Sequence, residues 1–272
     1  MTRSSSKISH QISGEYFIIS LNDPNTLNSM TGEDYVYLAT LLQEADRNDA
    51  IYFTVLQSSG RFFSSGANVS NIGKAQKSES ASGETGKWLS EFVSRNLFVT
   101  QIFSNHRKLL ICCLNGPAVG LSATIVMLCD IVYSMNDSVY LLFPFTTLGL
   151  VSEGALSVTL PLKLGYNVAN EILTFGKPVT FENMIGKVII KNYNMKDTNE
   201  FNKKVVEDLR ERTQHLYKDS IIGIKKLLKR PFESELKRAN VDEVSDALDF
   251  WVKGIPQEKF KQLSKKERRH KM

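Results

Sequence analysis

Long apolar runs are missing from this sequence. No stretch reaches membrane-spanning length, and the opening Met-Thr-Arg-Ser-Ser-Ser lacks the hydrophobic region of a secretory signal. The expectation is a soluble protein outside the secretory path. Cysteine is scarce: Cys112, Cys113 and Cys129 lie inside apolar runs without metal-ligand spacing, and an odd number suits a reducing compartment. Buried packing, not disulfide or metal chemistry, is expected of them. Net charge is also small over most of the chain. The formal value is +5, and the stretch from Glu258 to Met272, with seven Lys or Arg against two acids, carries all of it. A basic tail on a nearly neutral body argues against a nucleic-acid-binding face spread over the fold. The tail reads as solvated, or as a targeting or anion-binding element.

What is present is enough for one sizeable core: 272 residues, 42% of them hydrophobic. Lys7 to Leu21 reads as two short strands broken at Gly14, and Thr31 to Arg47 as an amphipathic helix with a capping-box-like start at Thr31 and Asp34. A β-branched and aromatic strand at 51 to 57 runs into a loop with two glycines, 58 to 68, able to turn N–H groups toward a ligand. Ser70 to Gly86 is polar and low in complexity, a mobile loop by composition. A helix follows, Glu84 to Asn105, with Leu89, Phe92, Val99 and Phe103 on one stripe and Asn96 in its middle. A polar amide there must find partners, which makes Asn96 either a satisfied core residue or a site residue.

The apolar strand at 108 to 114 leads to Asn-Gly-Pro-Ala-Val-Gly-Leu-Ser-Ala and another helix ending near Cys129, with two more strands at 130 to 134 and 138 to 142. The recurring order of strand, glycine-bearing loop and helix gives an α/β core. Beyond Gly165 the pattern is mainly helical, near 167 to 174, 200 to 216, 219 to 229 and 233 to 251. The division expected is a core over 1 to 200 and a helical region over 201 to 272, whose Leu216, Ile221, Ile222, Leu227 and Leu228 would pack on the core and on neighbouring subunits.

The stretch Leu148 to Ala155 sets Glu153 among apolar and small residues where a loop meets a helical pattern. On its own this is a helix-start acid, with Ser152 as cap and Glu153 in the first turn, favoured by the helix dipole. Its setting beside two glycine-bearing loops makes it a candidate catalytic acid or base.

Three segments in order, Phe-Phe-Ser-Ser-Gly-Ala-Asn at 62 to 68, the strand and loop at 108 to 123 followed by Cys-Asp-Ile-Val, and Leu-Gly-Leu-Val-Ser-Glu-Gly at 148 to 154, resemble the crotonase (enoyl-CoA hydratase/isomerase) superfamily. Within it, the chain is similar to the fungal peroxisomal Δ3,Δ2-enoyl-CoA isomerases. The resemblance implies a spiral of repeated ββα units with a helical C-terminal trimerisation region, a trimer or dimer of trimers, and an acyl-CoA thioester as substrate. It implies an oxyanion hole made by the backbone N–H groups of Ala67 and Leu121, each beside a glycine, Gly66 and Gly120. Preorganised donors act most strongly where negative charge develops, here on an enolate oxygen.

Hydratases of the family carry two glutamates, and the matching positions here hold Thr124 and Phe145. Dienoyl-CoA isomerases use more than one acid, whereas Glu153 is the single obvious candidate, so double-bond migration with Glu153 as base and then acid is expected. An apolar setting would raise its pKa toward the operating pH. No metal or redox cofactor is expected. For the CoA part, the resemblance implies the carbonyl of Ser65 at the adenine amino group and basic side chains at the phosphates: Arg61 by position, or Lys259 or Lys261 toward a neighbouring subunit's ligand.

Asn68 and Ala155 depart from the family pattern, standing where relatives carry an aspartate and a second glycine. The final His270, Lys271 and Met272 resemble a C-terminal peroxisomal address, implying an import receptor as partner and the peroxisomal matrix as location. Two alternatives stay open. One is a dienoyl-CoA isomerase or other crotonase-type enzyme, drawing a second acid such as Glu79 or Glu84 from the loop. The other is a catalytically weak paralogue that binds acyl-CoA.

Overall fold

The computed structural model describes residues 7–68 and 81–264; His270, Lys271, Met272 and Glu79 lie outside them. Strands β1 (Ile8–Ser13) and β2 (Tyr16–Leu21) form a hairpin over Gly14 at φ 61°. The chain returns through helix α1 (Gly32–Arg47), where the Thr31 hydroxyl accepts from the Asp34 N–H and the Asp34 carboxylate accepts from the Thr31 N–H. Strands β3 (Phe53–Ser58), β4 (Leu109–Leu114), β6 (Ile131–Ser134) and β9 (Ile189–Asn192) then add in parallel, giving a six-stranded sheet of order β1-β2-β3-β4-β6-β9. A smaller sheet joins β5 (Ala118–Val119), β7 (Tyr140–Leu142) and β8 (Val179–Thr180).

Alternate side chains leave the large sheet on opposite faces. Phe17, Ile19, Leu56, Leu110, Cys112 and Val132 join the main core with α1 and helix α4 (Leu121–Leu128). Tyr16, Ile18, Val55, Ile111, Cys113 and Tyr133 meet Phe201, Val205 and Leu209 of helix α8 (Thr198–Thr213) on the other. All three cysteines are free thiols and buried, as their apolar runs imply.

The helix read from Glu84 to Asn105 is α2 (Gly83–Trp88), a π-helical turn (Leu89–Val93) and α3 (Ser94–Asn105). The π turn shifts the phase of the stripe: Phe92, Val99 and Phe103 are buried, but Leu89 is exposed. A larger correction concerns the start of α5 (Leu156–Leu164). Ser152 does not cap it and Glu153 is not in its first turn. Its N-cap is Ala155, left-handed at φ 56° and ψ 29°, and Glu153 sits in the irregular segment before it.

Helices α6 (Tyr166–Phe175), α7 (Phe181–Met184), α8, α9 (Lys218–Lys229), α10 (Glu233–Val252) and α11 (Ile255–Ser264) follow. Helix α10 packs on α2, α3 and α5, so the C-terminal region closes directly on the elements that carry the candidate residues. Of the apolar residues expected to pack there, Ile221 meets the second core, whereas Leu216, Leu227 and Leu228 are exposed. Among the described residues, no helix is long and apolar enough to cross a membrane.

Candidate active site

Two glycine loops meet because one of them has no side chain at the crossing. An added Cβ on Gly66, at φ 87°, would stand 2.6 Å from the Val119 carbonyl oxygen, so only glycine permits this approach. The loop is pinned from both sides. The Met30 N–H donates to the Gly66 carbonyl (2.9 Å) and the Asn68 N–H donates to the Met30 carbonyl (2.8 Å). Extended backbone alternates its polar groups, so the N–H of the intervening Ala67 points away from Met30. Gly120 (φ 58°, ψ −133°) turns the second loop into α4, whose first residue is Leu121. The Leu121 N–H is one of the helix-start donors that the helix itself leaves unbonded, at the positive end of its dipole.

A hydroxyl chain ties the two loops together behind these donors. The Ser64 hydroxyl donates to the Asn28 carbonyl (2.7 Å), accepts from the Gly66 N–H (3.2 Å) and pairs with the Ser122 hydroxyl (2.8 Å), which in turn meets the Tyr35 hydroxyl (2.9 Å). All three side chains are buried, so each hydroxyl depends on the others for satisfaction.

In front lies a cavity of about 1470 Å³, beyond the roughly 300–1,000 Å³ typical of a drug-sized ligand site. Its lining includes Ser65, Gly66, Ala67, Gly120, Leu121 and Glu153, which arrive from three separate parts of the chain. Asn96 lines it as well and is 1% exposed. The partner that a buried amide requires is the catalytic candidate itself: Asn96 Nδ2 donates to Glu153 Oε2 at 2.6 Å. Arg61 is not brought in; it is exposed, with its guanidinium over the Phe62 ring at 5.7 Å.

Glu153 is half-buried and lines a cavity whose walls include Trp88, Phe92, Trp251 and Phe260. Withdrawal from water pushes its pKa from the usual carboxylate range up to about 7; Glu243 pushes the same way, while Arg95 and the Asn96 hydrogen bond oppose. The positions where hydratases carry glutamates offer no acid. Thr124 is buried outside the cavity lining, its hydroxyl donating to the Leu121 carbonyl (2.8 Å), and Phe145 is part of the apolar wall. Glu84 is also outside the lining, its carboxylate accepting from the Trp88 indole N–H (3.0 Å).

Arg95 and Glu243 escaped the sequence reading. Arg95 lines the cavity and its Nε donates to Asn96 Oδ1 (3.1 Å), fixing the amide with its donor end on Glu153. The signal for Glu243 was present: Leu236, Ala239, Asn240, Glu243, Val244 and Ala247 share one buried face at helical spacing, and an acid there needs partners.

The enoyl-CoA hydratase/isomerase family model matches residues 12–270. The chain belongs to this family. A Saccharomyces cerevisiae 3,2-trans-enoyl-CoA isomerase is 52% identical over 99% of this chain and 98% of its own length. A Delta(3,5)-Delta(2,4)-dienoyl-CoA isomerase of the same organism is 48% identical over 98% of this chain and all of its own. The fold is that of Pseudomonas aeruginosa OdaA, with a TM-score of 0.79 at 24% identity over 95% of this chain and 99% of that one. The crotonase-like α/β expectation therefore holds, and both near-full-length yeast relatives are isomerases.

Proposed function

We propose that this family member shifts the double bond of a 3-enoyl-CoA to the 2-trans position. The observation that carries the reading is the cavity's acid content: of its described carboxylates, Glu33 and Glu91 are exposed, whereas Glu153 is half-buried and accepts a hydrogen bond from Asn96. Ionised Glu153 takes a proton from the α-carbon. The electron pair spreads through the dienolate to the thioester oxygen, which accepts from the N–H groups of Ala67 and Leu121. The carboxylic acid so formed returns the proton to the γ-carbon, leaving the 2,3 double bond. One group serves as base and acid, so this 1,3 shift needs no external oxidant and no activated water. The aromatic and aliphatic lining suits an acyl chain.

A direct assay with cis- and trans-3-hexenoyl-CoA, following the conjugated 2-enoyl thioester, tests this. Wild type should turn over and Glu153→Gln should not, while still binding the thioester. The 48% identical dienoyl-CoA isomerase favours a second reading, in which a 3,5-dienoyl thioester is the substrate. Turnover of that thioester with none of the 3-hexenoyl compounds would select it. Location in the peroxisome is proposed on His270, Lys271 and Met272, and unchanged import after their deletion would refute it.

A further inference from the structure

Glu243 lies on α10, 5% exposed, and holds the strained turn that follows Glu153. Its Oε2 accepts from the Ala155 N–H (2.7 Å), and its Oε1 accepts from the Ser157 N–H (2.8 Å) and the Ser152 hydroxyl (3.2 Å). These donors bracket Glu153 on both sides. They include N–H groups at the start of α5, which no side chain of the local segment caps. Gly154 (φ 77°) and Ala155 (φ 56°) are consecutive left-handed residues, and for alanine that conformation is unfavourable unless something holds it. A buried carboxylate satisfied by three donors supplies the hold.

The same face of α10 reaches the other half of the pair. Asn240, one turn before Glu243, donates from Nδ2 to the Leu97 carbonyl (3.1 Å), the residue after Asn96. One helix therefore braces both ends of the Asn96–Glu153 hydrogen bond, through side chains that touch neither the cavity nor each other's targets. We propose that Glu243 is a positioning residue for the base, fixing the backbone that aims Glu153, with Asn240 steadying its amide partner. This rests on Glu153 being the base.

The groups facing Glu153 are Arg95 and Asn96 from α3, Tyr35 from α1 and Glu243 from α10, with Glu91 of the π turn acting through Arg95. Among these, Glu243 is the negative charge that disfavours ionisation of Glu153. Two substitutions separate its roles. Glu243→Asp keeps the charge and withdraws the carboxylate by one methylene; Glu243→Gln keeps the length, removes the charge and turns a donor toward an N–H.

Steady-state kinetics with 3-hexenoyl-CoA across pH, beside Glu153→Gln, is the experiment. Glu243→Asp should lose about 10- to 100-fold in kcat with KM within about twofold of wild type and the acid limb of kcat/KM in place, as expected when the reacting geometry shifts and binding does not. Glu243→Gln should show a similar loss, with the acid limb moved to lower pH because a charge opposing ionisation is gone. Wild-type kcat in Glu243→Asp overturns the proposal, as does equal loss in kcat and 1/KM with an unmoved limb in Glu243→Gln, the result of general loosening. If Glu243→Gln does not fold, the kcat and KM of Glu243→Asp decide alone. Full activity in Glu153→Gln would instead strike the base assignment.

Discussion

Asn96 Nδ2 stands 2.6 Å from Glu153 Oε2, joining the first turn of α3 to a loop 57 residues further along the chain. The amide donates to the ionised carboxylate and so favours it. Asn96→Ala removes the donor and leaves the carboxylate to the apolar wall. Its pKa then rises, and the acid limb of kcat/KM moves to higher pH, opposite in sign to Glu243→Gln. A loss of about tenfold or more in kcat at neutral pH is expected, from a smaller ionised fraction and a less restrained base. A pH–rate profile of the variant checks both. An unmoved limb would show that the contact does not tune the base.

Glu153 raised to about 7 has consequences for rate and for stability. As the proposed base, Glu153 must be ionised to act, so kcat/KM should climb with pH and level off above a midpoint near 7. The folded state binds the proton more tightly than the unfolded chain, whose carboxylate titrates near 4.5. Glu153 therefore costs stability increasingly as pH rises from about 4.5 through 7. Glu153→Gln removes that cost while keeping an oxygen for Asn96. At pH 8 it should be more stable by about 1 kcal/mol once solvent at the cavity is allowed for, a rise of about 2–4 °C in Tm, and catalytically dead. Thermal melts at pH 5 and pH 8 check it: the gain should be present at 8 and nearly gone at 5.

The parts of this arrangement legible in the sequence are those written in local pattern. The capping box at Thr31, the Gly14 break, the glycine loops and the apolar strand from Leu109 to Leu114 all have local causes, and the structure follows them. The start of α5 was not legible. Ser152 has the chemistry of a cap, but the donors it would have served are taken by Glu243, some ninety residues away in sequence, and no local rule carries that information. Asn96 was visible as a polar residue on an apolar stripe, though not its partner. Arg61 stood in a suggestive loop, yet the bend that follows β3 leaves its side chain on the surface, over the Phe62 ring.

Gly66 tests the crossing of the two loops. Gly66→Ala places a Cβ 2.6 Å from the Val119 carbonyl, a backbone atom that cannot swing away, at a φ that side chains resist. The loops must part, which moves the N–H groups of Ala67 and Leu121, the proposed oxyanion donors, relative to each other. A stability loss of about 1–3 kcal/mol and a fall of about 10²–10³ in kcat are expected, the latter being what loss of one oxyanion donor costs elsewhere. Denaturant melts and turnover of 3-hexenoyl-CoA measure the two effects. A Gly66→Ala protein that is folded and fully active would show that this close approach does not set the donors.

His106 predicts a pH dependence of stability with a different origin. It is 1% exposed, with Nδ1 3.0 Å from Asp46 Oδ1 and Nε2 2.8 Å from the Thr54 hydroxyl. Burial holds its pKa below the ordinary histidine value, and Asp46 only partly opposes this. The unfolded chain therefore takes up the proton first. The contribution of neutral His106 is fully present above about pH 6.5 and is lost as pH falls through the lower folded value. Glu153 works in the opposite direction over part of this range, so wild type alone would blur the two. The difference between wild type and His106→Gln isolates the histidine. Gln can span the same Asp46 and Thr54 groups and does not titrate, so in urea melts between pH 7.5 and pH 5 the wild-type advantage should shrink steadily as pH falls. An advantage constant across that range would mean that the buried imidazole keeps its ordinary pKa, with Asp46 offsetting the whole cost of burial.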